Sequence, residues 1–178
     1  SADSVRRRID EQLLRLDTDY LDFYQVWNLH NEEGWELATK EGGMVEGIRK
    51  AMDEGLVRHT GFTTHDEPER LLRKLPECDW AEVILVSYNL LQLSYAPVME
   101  KAHELGMGVI VMYPVGGGKF AEVSPVLEKL AKEVGAVSVP DLAIRFVLSN
   151  PHVTTIISGM TKKSDVDNTI ASAERPRF

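Results

Sequence analysis

Cysteine is almost absent, with Cys78 the only one. An internal disulfide and a cysteine-rich zinc or iron–sulfur centre are therefore excluded within this chain, and a reducing, cytoplasmic setting is expected. Long apolar runs are missing as well. No stretch approaches the ~18–20 residues a transmembrane helix needs. The opening Ser1-Ala2-Asp3 lacks the charged-then-apolar pattern of an export peptide, so neither membrane nor secretion is expected. An initiator Met is also lacking, which points to a processed chain or a fragment. Basic residues are outnumbered, 20 against 28, and the resulting net charge of −8 argues against a nucleic-acid partner. What remains is 178 residues with an apolar fraction of 43%. That is enough for a core without staples, so residues 1–178 are expected to form a single domain.

Short apolar runs alternate with longer amphipathic segments. Asp3 to Leu16 reads as a helix, with Val5, Ile9, Leu13 and Leu16 on one face. Tyr20 to Trp27 is aromatic and β-branched enough for a strand. Asn28, His30, Asn31 and Gly34 then read as a loop. Met44 to Leu56, Glu67 to Leu75, Tyr95 to Leu105, Ser124 to Val134, Pro140 to Ser149 and Lys163 to Ala173 read as helices, several closed by Gly or Pro. Arg58 to Phe62, Glu82 to Tyr88, Gly108 to Met112 and Thr154 to Ile157 read as strands. Five strands each followed by helix imply a parallel α/β sheet with right-handed crossovers. Two architectures satisfy this pattern: an open doubly wound sheet, or part of a (β/α)8 barrel, which needs about 250 residues when whole.

Both architectures bind ligands at the carboxyl ends of their strands. The residues there are Trp27, Asn28 and His30; Thr63, Thr64 and His65; Tyr88, Asn89 and Gln92; Met112, Tyr113 and Gly116 to Lys119; and Ser158 to Lys163. His30 is a candidate proton donor or acceptor, or else an ordinary loop histidine. Asn89 is a candidate ligand for an amide or phosphate, or else a turn-forming residue. Gly116-Gly117-Gly118-Lys119 offers backbone N–H groups and one ammonium to a phosphate, or forms a plain loop. Ser158-Gly159 followed by Thr161, Lys162 and Lys163 at a helix start is the stronger anion site, because N–H groups, helix dipole and two cations coincide. Neither a Walker A loop, nor Gly-x-Gly-x-x-Gly, nor Gly-x-Ser-x-Gly occurs.

Five segments are familiar in order and spacing. Leu14-Arg15-Leu16-Asp17-Thr18-Asp19-Tyr20-Leu21-Asp22-Phe23-Tyr24-Gln25 is the first, and Gly55-Leu56-Val57-Arg58-His59-Thr60-Gly61-Phe62-Thr63 the second. Tyr88-Asn89-Leu90-Leu91, Gly106 to Pro114 and Pro151 to Met160 complete the set. Together they resemble the aldo-keto reductases, and in particular the oxidoreductase branch that often carries iron–sulfur domains. The resemblance implies a partial (β/α)8 TIM-type barrel of five parallel strands. It also implies NADP (NADPH) as cofactor and a small-molecule carbonyl as substrate. The family's catalytic aspartate, tyrosine and lysine belong to earlier strands and have no counterpart here, so the chain by itself is expected to be inactive. The family histidine aligns with Trp27, with His30 three residues on as a weak substitute. Cofactor-binding positions align with Thr63, Thr64, Met112 and, at the 2′-phosphate end, Thr161, Lys162 and Lys163; Asn89, Tyr113, Ser158 and Gly159 complete the candidate set. No metal is implied.

Two alternatives stand beside this expectation. The chain is a non-enzymatic relative that keeps a nucleotide or phosphate site, as Trp27, Leu85 and Met112 suggest. Otherwise it is a half-barrel that pairs with itself or with a partner chain, because a five-strand arc leaves two open edges and an uncovered interior.

Overall fold

The structure is a computed structural model that describes residues 1–122 and 124–178. The chain, read above as one domain, divides into two compact units. The first comprises Ser1–Leu85 with Leu105–Met107, and the second Val86–Glu104 with Gly108–Phe178. Five strands lie in the order β1-β2-β3-β4-β5. Every strand expected from sequence is present, and the pairs β1/β2, β2/β3 and β4/β5 are parallel.

In the first unit, helix α1 (Ala2–Leu16) buries Val5 and Ile9 and stops where Asp17 turns left-handed at φ 52°. Strand β1 (Leu21–Leu29) pairs with β2 (Val57–Thr64), Leu21 opposite Val57 and Val26 opposite Phe62. The register shifts between Val26 and Leu29, and Asn28 there adopts φ 57°. Such a bulge re-aims side chains at a strand end, and it carries β1 two residues past the end expected at Trp27.

Helix α2 (Glu32–Thr39) falls where the sequence reads as a loop. Asn31 and Gly34 read there as loop residues. The actual signal is Asn31, whose Oδ1 accepts the Gly34 N–H at 2.8 Å, with Glu32 and Glu33 complementing the helix dipole. Helix α3 (Met44–Asp53) leads to β2, and α4 (Pro68–Lys74) follows it. The core centres on Phe62, whose ring lies 5.0 Å from Trp35 and 5.8 Å from Trp80. Trp35 is fixed further by its Nε1–H, which donates to the buried Asp66 carboxylate at 3.0 Å. Strand β3 (Val83–Ser87) places Val83 opposite Gly61 and Leu85 opposite Thr63.

The second unit contains α5 (Ala96–Glu104), β4 (Gly108–Met112), a 3₁₀ segment (Gly116–Ala121), α6 (Pro125–Glu133), α7 (Val139–Ser149), β5 (Thr155–Ile157) and α8 (Lys163–Glu174). Ser124 and Ser138 cap α6 and α7 by accepting the N–H groups of Leu127 and Asp141, each with proline in the first turn, as N-terminus chemistry dictates. Phe120, Val139 and Ala143 form a small core joined by Leu90, Val115 and Leu127. Edge strand β1 leaves Phe23 and Trp27 52% and 80% exposed, and edge strand β5 leaves Ile157 52% exposed. No helix among the described residues is long and apolar enough to cross a membrane.

Candidate functional site

A cavity of about 1060 Å³ opens in the second unit. The turn after β4, the start of α7 and the segment between β5 and α8 form its walls. Among the sequence-derived candidates, Met112, Tyr113, Ser158, Gly159, Thr161 and Lys162 line it, and Lys163 does not. Its volume lies at the upper end of the range for small-molecule sites.

The turn after β4 is built to bring backbone to the cavity. Tyr113 adopts φ 64°, and Gly116, Gly117 and Gly118 all have positive φ. At Gly117 a Cβ would stand 3.0 Å from the Tyr113 ring, so only glycine leaves that ring its place. Asn89 holds the turn from outside: its Nδ2 donates to the Tyr113 carbonyl at 3.1 Å, and its Oδ1 accepts the Leu91 N–H at 3.0 Å. Both ends of the buried amide bind backbone, so Asn89 positions the turn.

The segment before α8 is held by one carboxylate. Asp165 Oδ2 accepts the N–H groups of Thr161 and Lys162, each at 3.0 Å, and the Thr161 hydroxyl at 3.2 Å. The two backbone N–H bonds keep its pKa below the ordinary aspartate value. The donors that the sequence analysis offered to a phosphate thus already hold an internal anion. At the opposite wall, Asp141 is buried and accepts from Val137 N–H at 3.0 Å and from Arg175 at 2.7 Å. Burial works to raise its pKa, but bonds from Ser172, Val137 and Arg175 outweigh burial and lower it.

In the first unit the candidates gather at the ends of β1 and β2. The Thr63 hydroxyl accepts the Asn28 N–H at 2.7 Å. Thr64 donates to the Leu29 carbonyl and accepts the Asp66 N–H at 3.0 Å, and it is fully buried, so its hydroxyl braces the backbone. His30 is exposed, and its Nδ1 donates to the Asn28 carbonyl at 2.9 Å. That bond leaves Nε2 as the acceptor of the neutral ring, 3.4 Å from Asn31 Nδ2. Asn28, noted from sequence only as a strand-end residue and given no role, has its Oδ1 buried without a hydrogen-bond partner. Its signal in the sequence was only an asparagine directly after a strand.

The Cys78 thiol donates to the Lys74 carbonyl at 3.2 Å, and burial pushes its pKa up to about 12, so it stays protonated and is no nucleophile. Among the described residues, no group of three His, Cys, Asp or Glu side chains is placed to hold a metal.

A strand-alternating parallel sheet with a large cavity beyond the ends of β4 and β5 puts the cavity where (β/α) barrels bind their ligands. The sequence matches the aldo/keto reductase family across residues 1–178, and the chain belongs to that family. It is 26% identical over 190 residues to L-galactose dehydrogenase of Arabidopsis thaliana, covering 97% of this chain and 58% of that protein. The fold is similar to the holo form of aldo-keto reductase AKR11C1 from Bacillus halodurans, with a TM-score of 0.82, 20% identity, and coverage of 100% of this chain and 64% of that one. The glycerol dehydrogenase AKR11B4 from Gluconobacter oxydans is similar at a TM-score of 0.80 and 17% identity, covering 100% and 61%. The chain thus spans about three-fifths of the length of these relatives.

Proposed function

We propose that the chain forms the cofactor-holding part of an oxidoreductase that transfers hydride between a nicotinamide dinucleotide and a carbonyl/alcohol pair. The supporting observation is the second-unit cavity, which gathers six of the positions that the family resemblance or the strand-end chemistry assigns to cofactor. The residues fit such a group: glycine backbone and a held aromatic ring on one side, polar backbone and one ammonium on the other. A dihydronicotinamide supplies the hydride when bound. The chain's own contribution is to bind and orient, with Tyr113 as a ring against the cofactor, Ser158 and Gly159 as backbone contacts and Lys162 as counter-charge. Proton donation is another matter. The family's aspartate, tyrosine and lysine have no counterpart among these 178 residues, and Trp27 carries no titratable proton, so this chain alone binds but does not turn over. The NADP expected from Lys162 and Lys163 requires their ammonium groups to outweigh Asp165.

The test is calorimetric titration with NADH and NADPH, followed by an assay with a simple aldehyde. Binding without turnover is expected. Aldehyde-dependent oxidation of the cofactor by the purified chain would show that a proton donor is present after all. Tryptophan fluorescence is a poor reporter here, since Trp27, Trp35 and Trp80 all lie in the first unit.

A second reading, assembly with another chain that supplies further strands, is favoured by the exposed Phe23 and Trp27 on edge strand β1. Light scattering is then expected to give a mass of at least twice 20.0 kDa. A clean monomer at high concentration would remove this reading.

A further inference from the structure

We infer that Asp165 sets the cofactor choice: its carboxylate reserves the adenosine end of the second-unit cavity for a ribose with a free 2′-hydroxyl, so that NAD is taken in preference to NADP. This inference rests on reading the cavity as a dinucleotide site.

The argument starts from who owns the donors. A 2′-phosphate entering between β5 and α8 needs N–H and hydroxyl groups, and the nearest are Thr161 N, Thr161 Oγ1 and Lys162 N. All three already donate to Asp165 Oδ2. A phosphate must therefore displace the carboxylate or stand beside it, and two like charges at contact distance repel strongly in any medium drier than water. Protonation gives no escape near neutral pH, because the same donors keep the carboxyl ionised well into acid.

Charge along the cavity leads to the same result. Its charged lining residues are Asp141, Lys162, Asp165 and Arg175, two anions against two cations. Arg175 is committed to Asp141 at 2.7 Å. Lys162 is exposed, and a solvated ammonium on a flexible stem contributes little. Lys163 lies outside the lining. Among the described residues, Lys162 is thus the one lining cation left to meet a 2′-phosphate, and it would have to do so beside the Asp165 carboxylate. A ribose hydroxyl faces the opposite situation. The bonds that hold the segment all fall on Oδ2, and none uses Oδ1. A carboxylate oxygen is a strong acceptor for a sugar hydroxyl, and an acidic residue at the ribose selects the unphosphorylated cofactor in dinucleotide sites generally.

The experiment compares ADP-ribose with 2′-phospho-ADP-ribose by calorimetry, since the two differ only at the 2′ position and lack the nicotinamide. The wild-type chain is expected to bind ADP-ribose at least about tenfold tighter, the scale of one unfavourable charge contact in a partly solvated site. Asp165→Asn keeps an acceptor for the Thr161 and Lys162 N–H groups and removes the charge. It is expected to narrow the preference about tenfold, and Asp165→Ser is expected to move it the same way. Tighter binding of the 2′-phosphorylated ligand, equal binding of both, or a preference unchanged in both variants would overturn the inference while leaving the dinucleotide site intact. Binding of neither ligand would sink the dinucleotide reading and this inference together. The wild-type ratio decides the matter even where a variant fails to fold.

Discussion

Asp141→Ala is expected to destabilise the chain by about 3 kcal/mol at pH 7, toward the low end for breaking a buried ion pair because one partner is partly exposed. Asp141 is buried at the start of α7, where it accepts from Val137 N–H and Arg175 and lies 3.6 Å from Arg145. Arg145, itself nearly buried, donates to the carbonyls of Pro176 and Gly135 and stacks 4.0 Å from the Phe178 ring. The alanine variant leaves two guanidinium groups without their carboxylate and frees the Arg175–Phe178 tail. The pH dependence follows from the lowered pKa. A depressed folded-state value means that the carboxylate stabilises fully above about pH 4, the unfolded value, and loses this contribution as pH falls through the lower folded value. The gap between wild type and variant is therefore flat from neutral pH down to about 4 and closes below it. Urea unfolding followed by far-UV circular dichroism across pH 3–7 measures both. A loss under 1 kcal/mol, or a gap that widens in acid, would contradict this account of the network.

Gly61→Ala is expected to cost about 3 kcal/mol or more, as a clash that side-chain motion cannot relieve. Gly61 lies in β2 opposite Val83 of β3, and a Cβ there would stand 2.0 Å from the Val83 carbonyl oxygen and 2.6 Å from its Cγ2. The nearest obstacle is backbone, so the strands must part or slip. The neighbouring Phe62 is wedged between Trp35 and Trp80, and any slip breaks that aromatic core. Because both indoles flank the site, tryptophan fluorescence is the right probe. The cooperative red shift that accompanies wild-type unfolding comes early or is absent in the variant. An unchanged midpoint would mean that the β2/β3 register is not as described.

Particular residues show how much the sequence revealed. A strand such as Val83 to Ser87 was legible because both of its faces are covered and its run is near-continuously apolar. Helix α2 was not, since its apolar face is only Trp35 and Ala38 and its start depends on a single cap at Asn31. The second-unit cavity lies where one rule, that strand ends carry ligands, directed attention, and Met112, Tyr113, Ser158, Gly159, Thr161 and Lys162 all line it. It failed to separate ligand from scaffold. Asn89 reads equally well in either role until both ends of its amide are seen on backbone. Lys162 and Lys163 draw the eye as a phosphate site, while Asp165, three residues after Lys162, carries the opposite charge to the same donors. Charge counting along a chain does not say which group reaches an N–H first. Composition shows neither the register shift at Asn28 nor its buried Oδ1.

The proposed occupant of the second-unit cavity is a nicotinamide dinucleotide. Backbone amide chemical shifts during titration with NADH test it most directly. Perturbations concentrated at Gly116–Gly118 and Ser158–Asp165 are the predicted result. No perturbation at millimolar NADH, or shifts confined to residues outside those two segments, would contradict it.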